Sequence, residues 1–297
     1  MKESLATPGS LYVVATPLGN LDDITHRAVE FLKKVPVIAC EDTRHSGKLL
    51  SRYGIKARLI SYHEHNEQTA AGQVVSLLQS GFDVALISDA GTPGISDPGY
   101  RVVKLALEQG LDVVPVPGPS ALTTALSVSG LPTDSFYFAG WVPSREKELE
   151  KTLAKLSSLK ATLIFYCPAR KIKNVVVKFR QVLGNRRAVV CRELTKIHEE
   201  ILRGCLPELE KTLRDRDSVK GEIVLIVEGN RVKEIEPGED LAAPLAELLD
   251  SLDNVGSIGA KRLTALAAER LGSPRNRVYP LVCAYLNRLK EGQVSKD

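Results

Sequence analysis

An α/β fold of two α/β domains followed by a small C-terminal helical segment is what this sequence predicts, on three observations. Apolar runs of four or five residues, the length of buried strands, alternate with helical stretches. Polar and glycine-rich clusters recur where those runs end, the place where open α/β sheets bind ligands. The 297 residues, 43% hydrophobic and 26% charged, are enough for two modest domains.

The first strand is expected at residues 11–15, ending in Thr16-Pro17-Leu18-Gly19-Asn20. A helix through His26, Ala28 and Phe31 follows, with Asp22 or Asp23 near its cap. A second strand at 37–40 ends in Glu41-Asp42-Thr43-Arg44, and a third at 59–62 ends in His63-Glu64-His65-Asn66-Glu67. A helix over 74–79 leads to a fourth strand, 84–87. Its loop is the richest in the chain: Ser88-Asp89-Ala90-Gly91-Thr92-Pro93-Gly94-Ile95-Ser96-Asp97-Pro98-Gly99. Glycines allow close backbone approach or positive φ, and the two prolines stiffen the loop. A fifth strand, 113–116, ends in Pro117-Gly118-Pro119-Ser120 before a small-residue helix over 121–127. This alternation implies mostly parallel pairing, and five such clusters imply a shared crevice.

Beyond Gly130-Leu131-Pro132-Thr133-Asp134, a second and smaller α/β unit is expected. It has strands at 136–138, 162–166, 188–191 and 222–227, and helices at 146–159 and 172–183. The domains are placed at 10–132, 133–232 and 233–297, the last an acidic linker and a helical pair (258–271 and 275–289). Such a pair can read nucleic acid, but more often packs or dimerises.

Net charge is +4 over the whole chain, yet residues 141–220 carry 19 Lys and Arg against 10 Asp and Glu. That imbalance suits an anionic partner such as RNA, or scattered lysines on solvated helix faces. No apolar run is long enough for a bilayer, and residues 1–10 lack the form of a secretory signal. Five cysteines without a C-x-x-C pair suggest reduced thiols and a cytoplasmic setting. Dinucleotide binding is excluded because G-x-G-x-x-G is absent after the first strand. Ser46-Gly47-Lys48 lacks the first glycine of a phosphate loop, and Gly118-Pro119-Ser120-Ala121-Leu122 lacks the last glycine of a nucleophile elbow. His63-x-His65 has no third ligand at diagnostic spacing, so no metal is expected.

Together the segments at 11–25, 40–44, 61–67, 87–99, 115–121, 192–200 and 220–229 resemble the tetrapyrrole-methylase-like S-adenosylmethionine (SAM) methyltransferases, in particular their ribosomal RNA branch. The resemblance spans about the first 230 residues, in family order. It implies a cofactor cleft between the two α/β domains, SAM as methyl donor, and 2′-O-methylation of a cytidine in the decoding region of 16S rRNA. The partner is then 16S rRNA or the 30S subunit, and the protein a homodimer. A methylase of the same fold acting on a tetrapyrrole or diphthamide precursor is the enzyme alternative; a non-catalytic RNA-binding protein is the other. One departure stands out. The family's Glu-x-Pro-His-Arg-like run reads Tyr166-Cys167-Pro168-Ala169-Arg170 here, so no role is carried to the missing Glu and His.

On this reading Pro17, Gly19, Ser88, Asp89, Ala90, Gly91, Thr92, Pro93, Ser120, Ala121, Tyr166 and Cys167 hold SAM. Glu41, Asp42, His63, His65 and Glu67 are the catalytic candidates, and Lys196 and Glu199 could also take the hydroxyl proton. Arg44, Asn66, Arg192, Lys196 and Glu199 face the substrate, with ion pairing as the other reading of the two arginines. Asp42→Ala and Glu67→Ala are expected to abolish transfer while sparing SAM affinity.

Overall fold

A computed structural model of the chain describes residues 7–230, 240–250, 252, 255, 258–271 and 273–294. It divides into two compact units, one of Met1–Leu153 with Thr162–Glu228, the other of Ala154–Ala161 with Gly229–Asp297.

The first unit contains two five-stranded sheets. Strands β1 (Leu11–Val14), β2 (Val37–Cys40), β3 (Arg58–Ser61), β4 (Val84–Ile87) and β5 (Val113–Val116) form the first, in the order β3-β2-β4-β1-β5. Every pairing in it is parallel. Helices α1 (His26–Lys34), α2 (Thr43–Arg52), α3 (Glu67–Gln79), α4 (Tyr100–Glu108) and α5 (Ala121–Ser129) follow the strands in turn. Side-chain alternation along β4 sends Val84 and Leu86 to a core with Val74, Leu78, Val102 and Ala106 of α3 and α4. Ala85 and Ile87 point the other way, against Ala28, Leu32 and Leu50 of α1 and α2. A sheet covered on both faces needs continuous apolar strands, and β2 and β4 are buried at every position.

The second sheet is mixed. It comprises β6 (Phe136–Trp141), β7 (Thr162–Pro168), β8 (Arg187–Arg192), β9 (Glu200–Cys205) and β10 (Glu222–Val227), ordered β6-β7-β10-β8-β9. Only β6 with β7 is parallel; the other three pairings are antiparallel. Helices α6 (Glu146–Leu156), α7 (Ile172–Leu183) and α8 (Leu206–Arg214) accompany it. The hairpin strand β9 and helices α2, α4 and α8 are additions to the sequence reading. In α8 the pattern was present: Leu206, Leu209 and Leu213 are buried at helical spacing.

The second unit carries α9 (Ala242–Asp250), α10 (Ala260–Arg270) and α11 (Arg275–Val294), packed around Leu245, Leu249, Leu263, Val278 and Val282. The acidic stretch 232–253 expected as a linker instead carries α9, whose Leu245 and Leu249 are buried, while its residues 232–239 lie outside the described ones. Among the described residues no helix is long and apolar enough to cross a membrane.

Candidate active-site cleft

Parallel pairing brings the carboxyl ends of β1, β4 and β5 to one edge, and their loops are tied to one another. Thr16 and Gly91 exchange backbone hydrogen bonds at 2.8 and 3.0 Å. The Thr16 hydroxyl donates to the Ser88 carbonyl at 2.9 Å, and the Thr92 hydroxyl to the Pro119 carbonyl at 3.1 Å. Gly91 sits at φ +82°, where a side chain is strained, and a Cβ there would lie 3.3 Å from Leu18. Pro17, Ser88 and Pro93 are buried within this framework.

Facing it is one face of the second sheet. Val224 of β10 is in register with Tyr166 of β7 on one side and Cys191 of β8 on the other, so the three form a row across the sheet. Between row and loops lies an open cleft of about 780 Å³, the open solvent at its mouth included. Leu18, Ala90, Gly91, Thr92, Ser120 and Ala121 line it from the first sheet, and Tyr166, Cys191, Leu194, Glu222 and Val224 from the second. Ile95, Asp97, Ile223 and, at its mouth, Trp141 complete the lining.

Of the proposed SAM ligands, five from the loops and Tyr166 thus line the cleft. Gly19 lies against Lys196, with room for no Cβ: one there would meet Lys196 Cγ at 2.2 Å. Cys167 points to the far side of β7 from Tyr166. It is fully buried, next to Phe165, which packs edge-on against Phe179 of α7.

The carboxylates are drawn together at the base. The Asp42 backbone N–H donates to Asp89 Oδ1 at 3.1 Å, and the Asp89 backbone donates to Glu41, joining the ends of β2 and β4. Burial raises the Glu41 pKa, and the Asp89 charge adds to the effect. Asp97 is pushed further, to about 7, first by burial and then by the charges of Glu41, Asp89 and Glu222, while Ser88 opposes the shift through a hydrogen bond. A carboxyl poised near neutrality inside a cleft is suited to proton transfer.

The other catalytic candidates are engaged locally. Asp42 caps α2, accepting from the backbone N–H groups of Arg44 and His45 at 2.8 and 3.4 Å. Its hydrogen bonds with Arg44 hold its pKa down at about 2, and Arg44 closes the ion pair at 3.0 Å. Glu67 clamps the β4 loop from below: Oε1 accepts from the Tyr62 hydroxyl and the Gly99 backbone at 3.1 Å, and Oε2 pairs with Arg101 at 3.1 Å. Asn66 shapes the turn, accepting from the His63 backbone at 2.8 Å and donating to the Ser61 carbonyl at 3.0 Å. His63 and His65 meet edge-on at 6.0 Å, His65 exposed and His63 close enough for Glu41 to feel its charge.

The loop at 193–199 crosses to the first sheet. Thr195 Oγ1 accepts from the Asn20 backbone at 3.2 Å. Lys196 Nζ pairs with Glu193 at 3.0 Å and Glu222 at 2.9 Å. Glu199 accepts from the Thr195 backbone at 2.6 Å, and Arg192 pairs with Glu200 at 3.1 Å. Three non-glycine residues adopt positive φ in the described chain: Ser96 at +64°, Glu193 at +51° and Thr195 at +65°. All three belong to the two loops that border the cleft, where such strain tends to gather.

Asp97, Trp141, Cys191 and Leu194 were not among the residues proposed from sequence. Asp97 was visible in the Gly/Pro-rich loop; the other three had no local signal.

These two sheets with a cleft between them define a class. Residues 10–210 match the family model of tetrapyrrole (corrin/porphyrin) methylases. Among solved structures, diphthine synthase is similar with a TM-score of 0.58 at 16% identity, covering 75% of this chain and 90% of that one. Uroporphyrin-III-C-methyltransferase from Thermus thermophilus is similar with a TM-score of 0.53 at 19% identity, covering 74% and 94%. At such identities the likeness is one of fold.

Closer in sequence is ribosomal RNA small subunit methyltransferase I of Halalkalibacterium halodurans, 48% identical over 78% of this chain and 79% of its own. Its namesake from Escherichia coli O157:H7 is 45% identical over 91% and 93%. The chain belongs to the tetrapyrrole methylase family, in the branch of the ribosomal RNA small subunit methyltransferase I proteins.

Proposed function

We propose that the chain transfers a methyl group from SAM to the 2′-hydroxyl of a cytidine in the decoding region of 16S rRNA, within the cytoplasm and as a homodimer. The observation that carries the reading is the cleft itself, with backbone loops on one side and carboxylates gathered at its base. Its residues fit SAM. Leu18, Ile95, Leu194 and Val224 offer apolar surface for an adenosyl group, and Asp97 and Glu222 offer negative charge to a cation. The tied loops after β1, β4 and β5 would hold the donor through backbone groups. When bound, SAM supplies an already activated methyl carbon, so the protein's task is alignment and removal of one proton.

Asp97 is the proton acceptor in this reading. Methylation of the ribose oxygen breaks the methyl–sulfur bond and releases the hydroxyl proton, which the Asp97 carboxylate would take. Burial first, then the charges of Glu41, Asp89 and Glu222, raise its proton affinity to the neutral range. Glu67 holds the loop that carries it, through Gly99. Arg44, exposed at the start of α2, is placed for phosphate contact.

Incubation with methyl-labelled SAM and, separately, 30S subunits, free 16S rRNA and a porphyrin precursor tests this. The expected product is 2′-O-methylcytidine recovered from digested rRNA. Label on the porphyrin, on a base, or on neither nucleic acid substrate would overturn the reading.

A further inference from the structure

We propose that the Trp141 indole is a stacking platform for an unpaired nucleobase of the acceptor RNA at the mouth of the cleft. This rests on the reading of the chain as an rRNA methyltransferase and adds how the substrate is recognised. Trp141 is the one tryptophan in the sequence. It lines the cleft yet is 53% exposed, so it stands at the rim rather than in the wall. Half in water, the indole leaves ring surface open to a ligand.

The ring is also fixed in place. It meets Tyr166 at 5.5 Å with the planes at 71°, and Tyr166 in turn meets Phe138 at 4.9 Å and 63°. Crossed at that angle, Tyr166 supports the indole without occupying it as a parallel stack. The backbone is held as well, because the Val142 N–H donates to the Tyr166 carbonyl at 2.8 Å. Just before Trp141, the β6–β7 register shifts between Phe138 and Trp141. Such irregularities on edge strands re-aim side chains.

A rigid, accessible aromatic at a cleft mouth is how proteins hold bases that have left a helix. The charge of the chain agrees. Trp141 opens the 141–220 stretch, whose 19 basic and 10 acidic residues favour a polyanion over a neutral ligand. Inside the cleft the walls are aliphatic and acidic, so the donor and the acceptor base meet different surfaces.

Because the chain has a single tryptophan, its emission reports on this site directly. A ten-nucleotide single-stranded RNA containing cytidine is titrated into the full-length protein. The same RNA annealed to its complement, and SAM alone, serve as separate arms. The expected result is quenching of the emission by the single strand beyond any change SAM alone produces, and little by the duplex. Trp141→Ala should weaken anisotropy-measured binding of the labelled single strand about tenfold, and Trp141→Phe should recover most of it. An unchanged circular dichroism spectrum and melting temperature in both variants verify folding. Equal quenching by duplex, no quenching by the single strand beyond that by SAM alone, or RNA binding by Trp141→Ala within twofold of the parent would overturn the proposal. So would an emission change that follows protein concentration instead of RNA. If the single strand quenches but no label reaches rRNA, the stacking site stands and the methyltransferase reading fails. Transfer to rRNA with intact RNA binding in Trp141→Ala is the reverse case.

Discussion

The two sheets that face each other across the cleft build their halves of it in different ways. In the first sheet every strand runs the same way, so the chain must leave each one at the same edge. Loops crowd there and present backbone: Thr16 bonded to Gly91, Thr92 to Pro119. In the second sheet three of four pairings are antiparallel, strand ends alternate between edges, and a face is offered instead. Its contribution is side chains in register, Tyr166 beside Val224 beside Cys191. Parallel topology makes a cradle and antiparallel topology makes a wall. Asp97, the proposed proton acceptor, and the positive-φ turn at Gly91 belong to the cradle; Tyr166, Val224 and the Lys196 clasp belong to the wall.

If this division is right, substitutions in the cradle cost more than those in the wall. The largest effect is expected at Asp97. Asp97→Asn should lower methyl transfer at least a hundredfold, with a much smaller loss of SAM affinity from the one negative charge removed. In the parent, the rate should climb with pH through about 7, as the Asp97 carboxyl ionises, and the variant should lose that limb. Stability moves the opposite way. The folded state holds the Asp97 proton up to about 7, above the ordinary 3.8, and so binds more protons than the unfolded chain in between. Asp97 therefore favours folding at low pH and loses that contribution as pH rises from about 4 to 7; urea titrations across this window in parent and variant measure it.

Gly91→Ala comes next. Forcing a side chain at φ +82° costs about 1–2 kcal/mol, and the new methyl presses Leu18. Both melting temperature and SAM affinity should fall, and unchanged calorimetric binding would mean the backbone cradle does not hold the donor. Glu67→Gln should cost about 1–3 kcal/mol in denaturant unfolding, since charge-assisted bonds to Gly99 and Arg101 are weakened in a part-buried site. Its loss of transfer should follow from a loosened Asp97 loop, so substrate-saturated rate falls while the pH midpoint persists. Lys196→Ala, in the wall, should be mildest, changing transfer less than about fivefold, because the side chain is outside the cleft lining and its pair with Glu222 is largely in water on the Glu222 side. A larger loss there than at Asp97 would invert the comparison.

The first sheet was legible because its strands are short apolar runs ended by glycine and polar residues, as Val84–Ile87 before Ser88 shows. Helix α2 was hidden in plain view: Asp42, read as chemistry, is also its cap. The same happened at Glu67, whose position at the start of α3 lets it reach Tyr62, Gly99 and Arg101 at once. Neighbourhood in sequence showed that these residues cluster, and it did not show which partner each had taken. The β9 strand and α8 carry weaker patterns, and β9 is only part-buried. Trp141 and Cys191 could not be placed without knowing strand order, since β6 and β8 are separated by β7 and β10.

By itself the sequence determined the α/β class, the strand-end clusters and the family, because periodicity and contiguous motifs are local properties of a chain. Tertiary structure decided which of the clustered acids lies in the cleft with its pKa raised toward neutrality. The charge state of Asp97 depends on its burial and then on Glu41, Asp89 and Glu222, contributed by the ends of β2, β4 and β10. Electrostatics acts through space, and only the folded sheets set those distances.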